Sequence, residues 1–301
     1  MSFQLFLLDR LFRLTMKRQF RRNPDVLGLR VMMSRATRFA APIPRRILRD
    51  KLDLGGVWVE RLATATADAS RAILYLHGGG MVAGSPSTHR ALTWRLADGV
   101  GVPVYAVDYR LAPEHPFPAA LDDVVTAYRG LLGRGISEGR IIVGGDSAGG
   151  NLTLAMSLDL KRLGIPEPAA LVALSPATDL FESFASFVTN ARADAVFDAR
   201  TFPTVIAHYC PSGDPEDPRI SPLRGDVSGL PPTLFQCSED EMLLDATLHM
   251  AKRMKAAGVD VTLQSWPKVF HVWQLAADVL PEARRAIDDI VAFMTARLHP
   301  R

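Results

Sequence analysis

The sequence predicts an α/β fold, a mostly parallel sheet with helices on both faces. Three observations predict it. Short apolar runs rich in β-branched residues alternate with stretches of helical spacing, the pattern of strand–helix–strand units. One such run, Ile141-Ile142-Val143, enters a Gly145-x-Ser147-x-Gly149 corner, and a helical pattern from Leu152 leaves it. The residues able to do chemistry, His77 to Gly80, Ser147, Asp240 and His271, each follow a predicted strand. Open parallel sheets bind ligands beyond the carboxyl ends of their strands, so these residues can meet at one edge.

The first element is an amphipathic helix within Met1–Phe20: Leu5, Leu8, Phe12 and Met16 recur at helical spacing, with Leu11 widening the stripe. Asp9 and Arg10 break its apolar run, which is too short to span a membrane and lacks the flanks of a signal peptide. Its apolar face must cover something. Core packing ranks first, a lid over a site second and a membrane surface third, so membrane contact is not expected. Residues 21–50 read as helix-like, loosening at Ala41-Pro42-Ile43-Pro44.

Val57–Leu62 alternates as a strand, and Ala72–Leu76 is a near-continuous apolar run suited to burial on both faces. A helical segment around Trp94 and Leu96 leads to a strand over 102–107, then to a proline-rich loop, Asp108 to Pro118. Ala120–Leu132 is a helix by spacing. After the serine corner and its helix, to about Leu163, come a strand over Ala169–Leu174 and an irregular insertion from Thr178 to about residue 225. The rhythm resumes with strand Pro232–Cys237, a helix from about Met242 to Ala257 closed by Gly258, strand Val259–Trp266 and a last helix, Glu282–Arg297.

With 301 residues, 48% of them hydrophobic and 22% charged, the chain has material for a large core. Two cysteines, Cys210 and Cys237, make no disulfide framework and read as buried thiols of a reducing, cytoplasmic compartment. No zinc-type spacing occurs. The net charge of +3 is uneven: residues 1–50 hold Lys17 and eleven arginines against three aspartates. We read this excess as a solvated face, with no nucleic-acid partner.

A serine hydroxyl is a weak nucleophile that needs a base, an orienting carboxylate for the base, and donors for the developing oxyanion. Glycines two residues either side of Ser147 permit a turn too tight for Cβ atoms, and the helix that follows favours negative charge at its N-terminus. In the order Ser, acid, His, the base is His271. His249, His208 and His299 lie in a helix, in the insertion and in the tail, and His89 and His115 come too early. For the acid, Asp240 stands at the strand end, flanked by Glu239 and Glu241, with Asp245 as the alternative one turn on. Gly78 and Gly79 of His77-Gly78-Gly79-Gly80, with Ala148, are expected to supply the oxyanion N–H groups.

Together these residues resemble the hormone-sensitive lipase family of esterases (bacterial family IV) within the α/β-hydrolase fold. The resemblance runs from about Leu74 to Trp273. It rests on His77–Gly80, Asp108-Tyr109-Arg110-Leu111-Ala112-Pro113-Glu114, Gly145–Asn151 and the late acid and histidine. It implies a central, mostly parallel eight-stranded sheet, with a helical cap from about 1–45 and 178–225 on a catalytic core of 46–177 and 226–301. It further implies small esters of short to medium acyl chain, an acyl-enzyme intermediate, no cofactor or metal, and frequent homodimers. Similar proteins open lactones, including terpene-derived ones, and plant hormone receptors of this fold have lost the catalytic histidine that His271 keeps. His271-Val272-Trp273 stands where many members have His-Gly-Phe, and Asp146 reads as structural.

Overall fold

The computed structural model describes residues 2–22, 25–37 and 41–299. Eight strands form one sheet: β1 (Ile47–Leu54), β2 (Val57–Thr64), β3 (Ala72–Leu76), β4 (Val104–Val107), β5 (Ile141–Asp146), β6 (Ala170–Leu174), β7 (Thr233–Ser238) and β8 (Val261–Trp266). Their order is β1-β2-β4-β3-β5-β6-β7-β8. β1, β2 and β4 pair antiparallel, and the rest of the sheet is parallel. This is the α/β-hydrolase arrangement, and the central strands β3, β4, β5, β6 and β7 are buried along their whole length.

Strand alternation divides the core in two. Leu74, Leu76 and Val143 face one cluster, shared with α5 (Ala119–Gly133), α6 (Ala148–Leu163) and α9 (Leu244–Ala256). Ile73, Tyr75 and Ile142 face the other, shared with α4 (Arg90–Val100) and α10 (Pro281–Leu298). Gly258, just beyond α9, has φ +83°, the left-handed stop its position implies. Cys210 and Cys237 are buried free thiols whose pKa values burial raises, Cys210 to about 11.

Alongside the sheet and its flanking helices stands a helical cap; α1 (Phe3–Leu14), α2 (Met16–Arg22) and α3 (Val26–Ala36) precede β1, and the segment between β6 and β7 carries α7 (Ser186–Thr189) and α8 (Thr201–Tyr209). Leu5 is 1% exposed, and Leu8, Phe12 and Met16 pack against the α4–α10 core, so the inner stripe of α1 is the one its spacing indicates. Leu11, the residue expected to widen that stripe, instead points outward, 50% exposed. No helix among the described residues is long and apolar enough to cross a membrane.

Candidate active site

Ser147 stands between the end of β5 and the start of α6 with φ +53° and ψ −116°, a strained conformation for a residue with a side chain. Its neighbours hold it there. The Ser147 N–H donates to the Leu174 carbonyl at 2.7 Å, and its carbonyl accepts from Asn151 N–H at 3.0 Å. A Cβ on Gly145 would lie 2.6 Å from the Leu76 carbonyl oxygen, and one on Gly149 would strike the same atom, so β3 closes over the turn only because both residues are glycine.

His271 lies in the loop after β8 and is 8% exposed. Its Nδ1 donates to Glu241 Oε2 at 2.6 Å. Glu241 is 1% exposed, and its other oxygen accepts the Ser238 N–H at 3.1 Å. The carboxylate that meets the imidazole is therefore Glu241, one residue beyond the expected Asp240. Asp240 bonds through its N–H to Ser238 Oγ, and its side chain turns toward the Lys268 backbone, where partial burial raises its pKa. The alternative, Asp245, accepts the Ser186 N–H at 2.8 Å. The turn after β7 carries residues 239 and 240 past the edge, and Glu241 comes back under it with a side chain long enough to reach the imidazole. Ser238-x-x-Glu241 has capping-box spacing, in which the acid reaches back to the N–H of the first residue. That signal was in the sequence.

The loop after β3 differs from expectation in one donor. Gly78 N–H points inward and donates to Asp146 Oδ1 at 3.2 Å, so it is not available to a substrate oxygen. Gly79, Gly80 and Ala148 N–H have no acceptor among the described residues. Gly79 has φ +125°, and a Cβ there would collide with the Ala83 carbonyl group; the Ala83 N–H donates to the Gly79 carbonyl at 2.9 Å. Gly80, missed in the sequence, faces Val205 of α8.

Beneath this loop the Asp146 carboxylate, 2% exposed, accepts from Tyr75 OH at 2.8 Å and from His89 Nε2 at 3.2 Å. Burial pushes its pKa up, but His89, Tyr75 and His77 outweigh it and bring the group below the usual carboxylate value. His77 stacks on Tyr109 at 4.1 Å, and Tyr109 OH donates to the His77 carbonyl at 2.6 Å. Burial and the nearby His89 lower the His77 pKa to about 3.

A strap from the cap lies against the imidazole. Phe197 packs on His271 with ring centroids 4.4 Å apart. Asp194 accepts the Val196 and Phe197 N–H groups on one oxygen and the Met242 N–H, next to Glu241, on the other. Lys17 Nζ of α2 donates to the Ala191 and Asp194 carbonyls at 2.7 and 2.5 Å.

Ser147, the His271–Glu241 pair and the Gly79–Gly80 loop thus all follow carboxyl ends of parallel strands. Ser147 Oγ and His271 Nε2 make no hydrogen bond to each other. A family model described as alpha/beta hydrolase fold matches residues 73–275. The crystal structure of an esterase from the bacterial hormone-sensitive lipase family superposes with a TM-score of 0.93 at 38% identity, covering 99% of each chain. The chain belongs to the hormone-sensitive lipase family of α/β-hydrolases. Among its relatives, an acetyl-hydrolase of Streptomyces hygroscopicus is 41% identical over 245 residues, 81% of this chain and 82% of that one. An esterase of Acinetobacter venetianus is 39% identical over 244 residues, 81% and 80% of the two chains. This family member is an enzyme of the serine esterase and lipase type.

Proposed function

We propose that the protein is a serine carboxylesterase acting on small esters of short to medium acyl chain through an acyl-enzyme. Ser147 is the nucleophile, His271 the base and Glu241 the carboxylate that orients it. Gly79, Gly80 and Ala148 N–H groups receive the oxyanion. The observation that carries this reading is the 2.6 Å bond from His271 Nδ1 to the buried Glu241. It puts the imidazole proton on Nδ1 and leaves the Nε2 lone pair as the base.

Ser147 Oγ attacks the ester carbonyl carbon as its proton passes to His271 Nε2. The carbonyl oxygen becomes an oxyanion facing the three N–H groups. The intermediate collapses, His271 returns the proton to the leaving alcohol, and an acyl group remains on Ser147. Water, deprotonated by the same nitrogen, attacks the acyl carbon. Collapse of that second intermediate frees the acid, and the proton returns to Ser147. Serine–histidine hydrogen bonds of this kind are often long until substrate aligns them. The acetyl-hydrolase name of the Streptomyces relative supports a small acyl group.

The test is hydrolysis of p-nitrophenyl esters of increasing acyl length. Activity is expected to be highest on short chains, and Ser147→Ala is expected to lower kcat by about 10⁴-fold or more with the fold retained. Unchanged turnover in that variant removes Ser147 as nucleophile. A maximum on long chains overturns the substrate class.

A further inference from the structure

α1 carries apolar residues on two faces, and the structure covers only one. The inner row, Leu5, Leu8 and Phe12, rests on the core, with Phe12 edge-on to Phe270 at 4.7 Å. The outer row, Phe3, Leu7, Leu11 and Leu14, is 72%, 50%, 50% and 67% exposed, and Phe6 beside it is 40% exposed. A helix with apolar rows on two sides, one of them uncovered, offers the second to a partner.

The charges around this row select its partner. Arg10 and Arg18 are exposed and pair with no carboxylate among the described residues; Arg10 instead lies over the Phe6 ring at 5.1 Å. The one acid of α1, Asp9, is neutralised by Arg13 at 2.7 Å. Arg10 thus brings an unpaired positive charge to this face and Arg18 adds one on α2, within a stretch of 50 residues holding twelve basic side chains against three acidic ones. A second copy packed face to face on this row would gather the unpaired arginines of both copies at one apolar seam with no carboxylate of this face to meet them. Phenylalanine and leucine flanked by arginine instead match a lipid surface with anionic headgroups.

We propose that α1 docks the protein on anionic lipid surfaces. Phe3, Leu7, Leu11 and Leu14 enter the headgroup boundary, and Arg10 and Arg18 meet lipid phosphates. The helix lies flat: its 12 residues span about 18 Å, less than a bilayer core. Spacing alone ranks a membrane surface third because it brings out the inner stripe and, of the outer row, only Leu11. Docking also sets the interface against the reaction site, since Phe12 touches Phe270, the residue before His271. Binding does not depend on the catalytic assignments and is read without substrate.

The full chain is floated with vesicles of phosphatidylcholine alone and with vesicles that also contain phosphatidylglycerol. Binding is expected to the second kind, about tenfold stronger than to the first, and to weaken as salt is raised. The surface variant L7Q/L11Q/L14Q is expected to lose binding about tenfold or more while keeping its thermal midpoint and its turnover of a water-soluble ester. R10E/R18E is expected to lose it comparably. The proposal is overturned by failure to float with either vesicle, by equal binding to both, or by full binding of L7Q/L11Q/L14Q. It is also overturned by a wild-type dimer, seen by light scattering, that L7Q/L11Q/L14Q dissolves, which assigns the face to a second copy.

Discussion

Two neighbouring acids, Asp240 and Glu241, separate a sequence argument from a geometric one. Position at the strand end favoured Asp240, yet only the Glu241 carboxylate reaches His271. Glu241→Gln keeps the shape and removes the charge that holds the imidazole tautomer, so kcat is expected to fall about 10⁴-fold. Asp240→Asn is expected to stay within a few-fold of wild type. Steady-state kinetics on one short ester compares them, and the reverse ranking returns the role to Asp240. Asp146 invites a second measurement. It binds the Gly78 N–H and so turns that amide away from the substrate side, with Gly79 and Gly80 following in the same loop. Asp146→Asn is expected to lower kcat about 10²-fold with little change in KM, as loss of an oxyanion donor does. It is also expected to lower stability by about 2–3 kcal/mol, because hydrogen bonds to a buried charge are lost. Equal damage to KM and kcat would speak against a role confined to the transition state.

Among the elements, the central strands were the most legible because burial on both faces writes them as unbroken apolar runs, Ala72–Leu76 being the clearest. β1, Ile-Leu-Arg-Asp-Lys-Leu-Asp-Leu, was missed. It is an edge strand whose middle is exposed and charged, and its place is fixed by pairing with β2 from Ile47↔Thr64 to Leu54↔Val57 rather than by an apolar face. The strap from 190 to 197 was equally hidden, because its order comes from carbonyls held by Arg13 and Lys17, more than 170 residues away. That strap gives the element-scale prediction. Lys17 is 7% exposed, and burial lowers its pKa, yet its ammonium binds two carbonyls of the segment that seats Phe197 on His271. Lys17→Met keeps the stem and removes the donors. Hydrogen exchange across 190–197 is expected to rise, and kcat to fall several-fold, with the global unfolding midpoint nearly unchanged. Unaltered exchange there would show that Arg13, which donates to the Arg192 and Ala193 carbonyls, holds the strap without the lysine.

At the scale of the whole molecule, the buried groups under the Gly79–Gly80 loop set how the fold responds to acid. His77 is neutral in the folded protein, with its pKa lowered to about 3 by burial and by His89, whereas in the unfolded chain it titrates near about 6.5. A depressed folded value means that the unfolded chain binds the extra proton, so this contribution is whole above about pH 6.5 and is lost as pH falls toward 3. Asp146 adds to it with the same sign: its folded pKa lies below the ordinary carboxylate value, so its share is present above that value and disappears as the carboxylate protonates. Unfolding free energy from urea titration is therefore expected to decline from pH 7 downward, at up to about 1.4 kcal/mol per pH unit for a single histidine between its two pKa values. A His77 ring signal that stays unprotonated by NMR down to pH 5, while stability falls, ties the slope to this residue. Stability that is flat between pH 7 and pH 5 would mean that His77 takes up a proton in the fold as readily as in the open chain. The packing of His77 against Tyr109 at 4.1 Å, and the loop built on it, would then have to tolerate a buried positive charge.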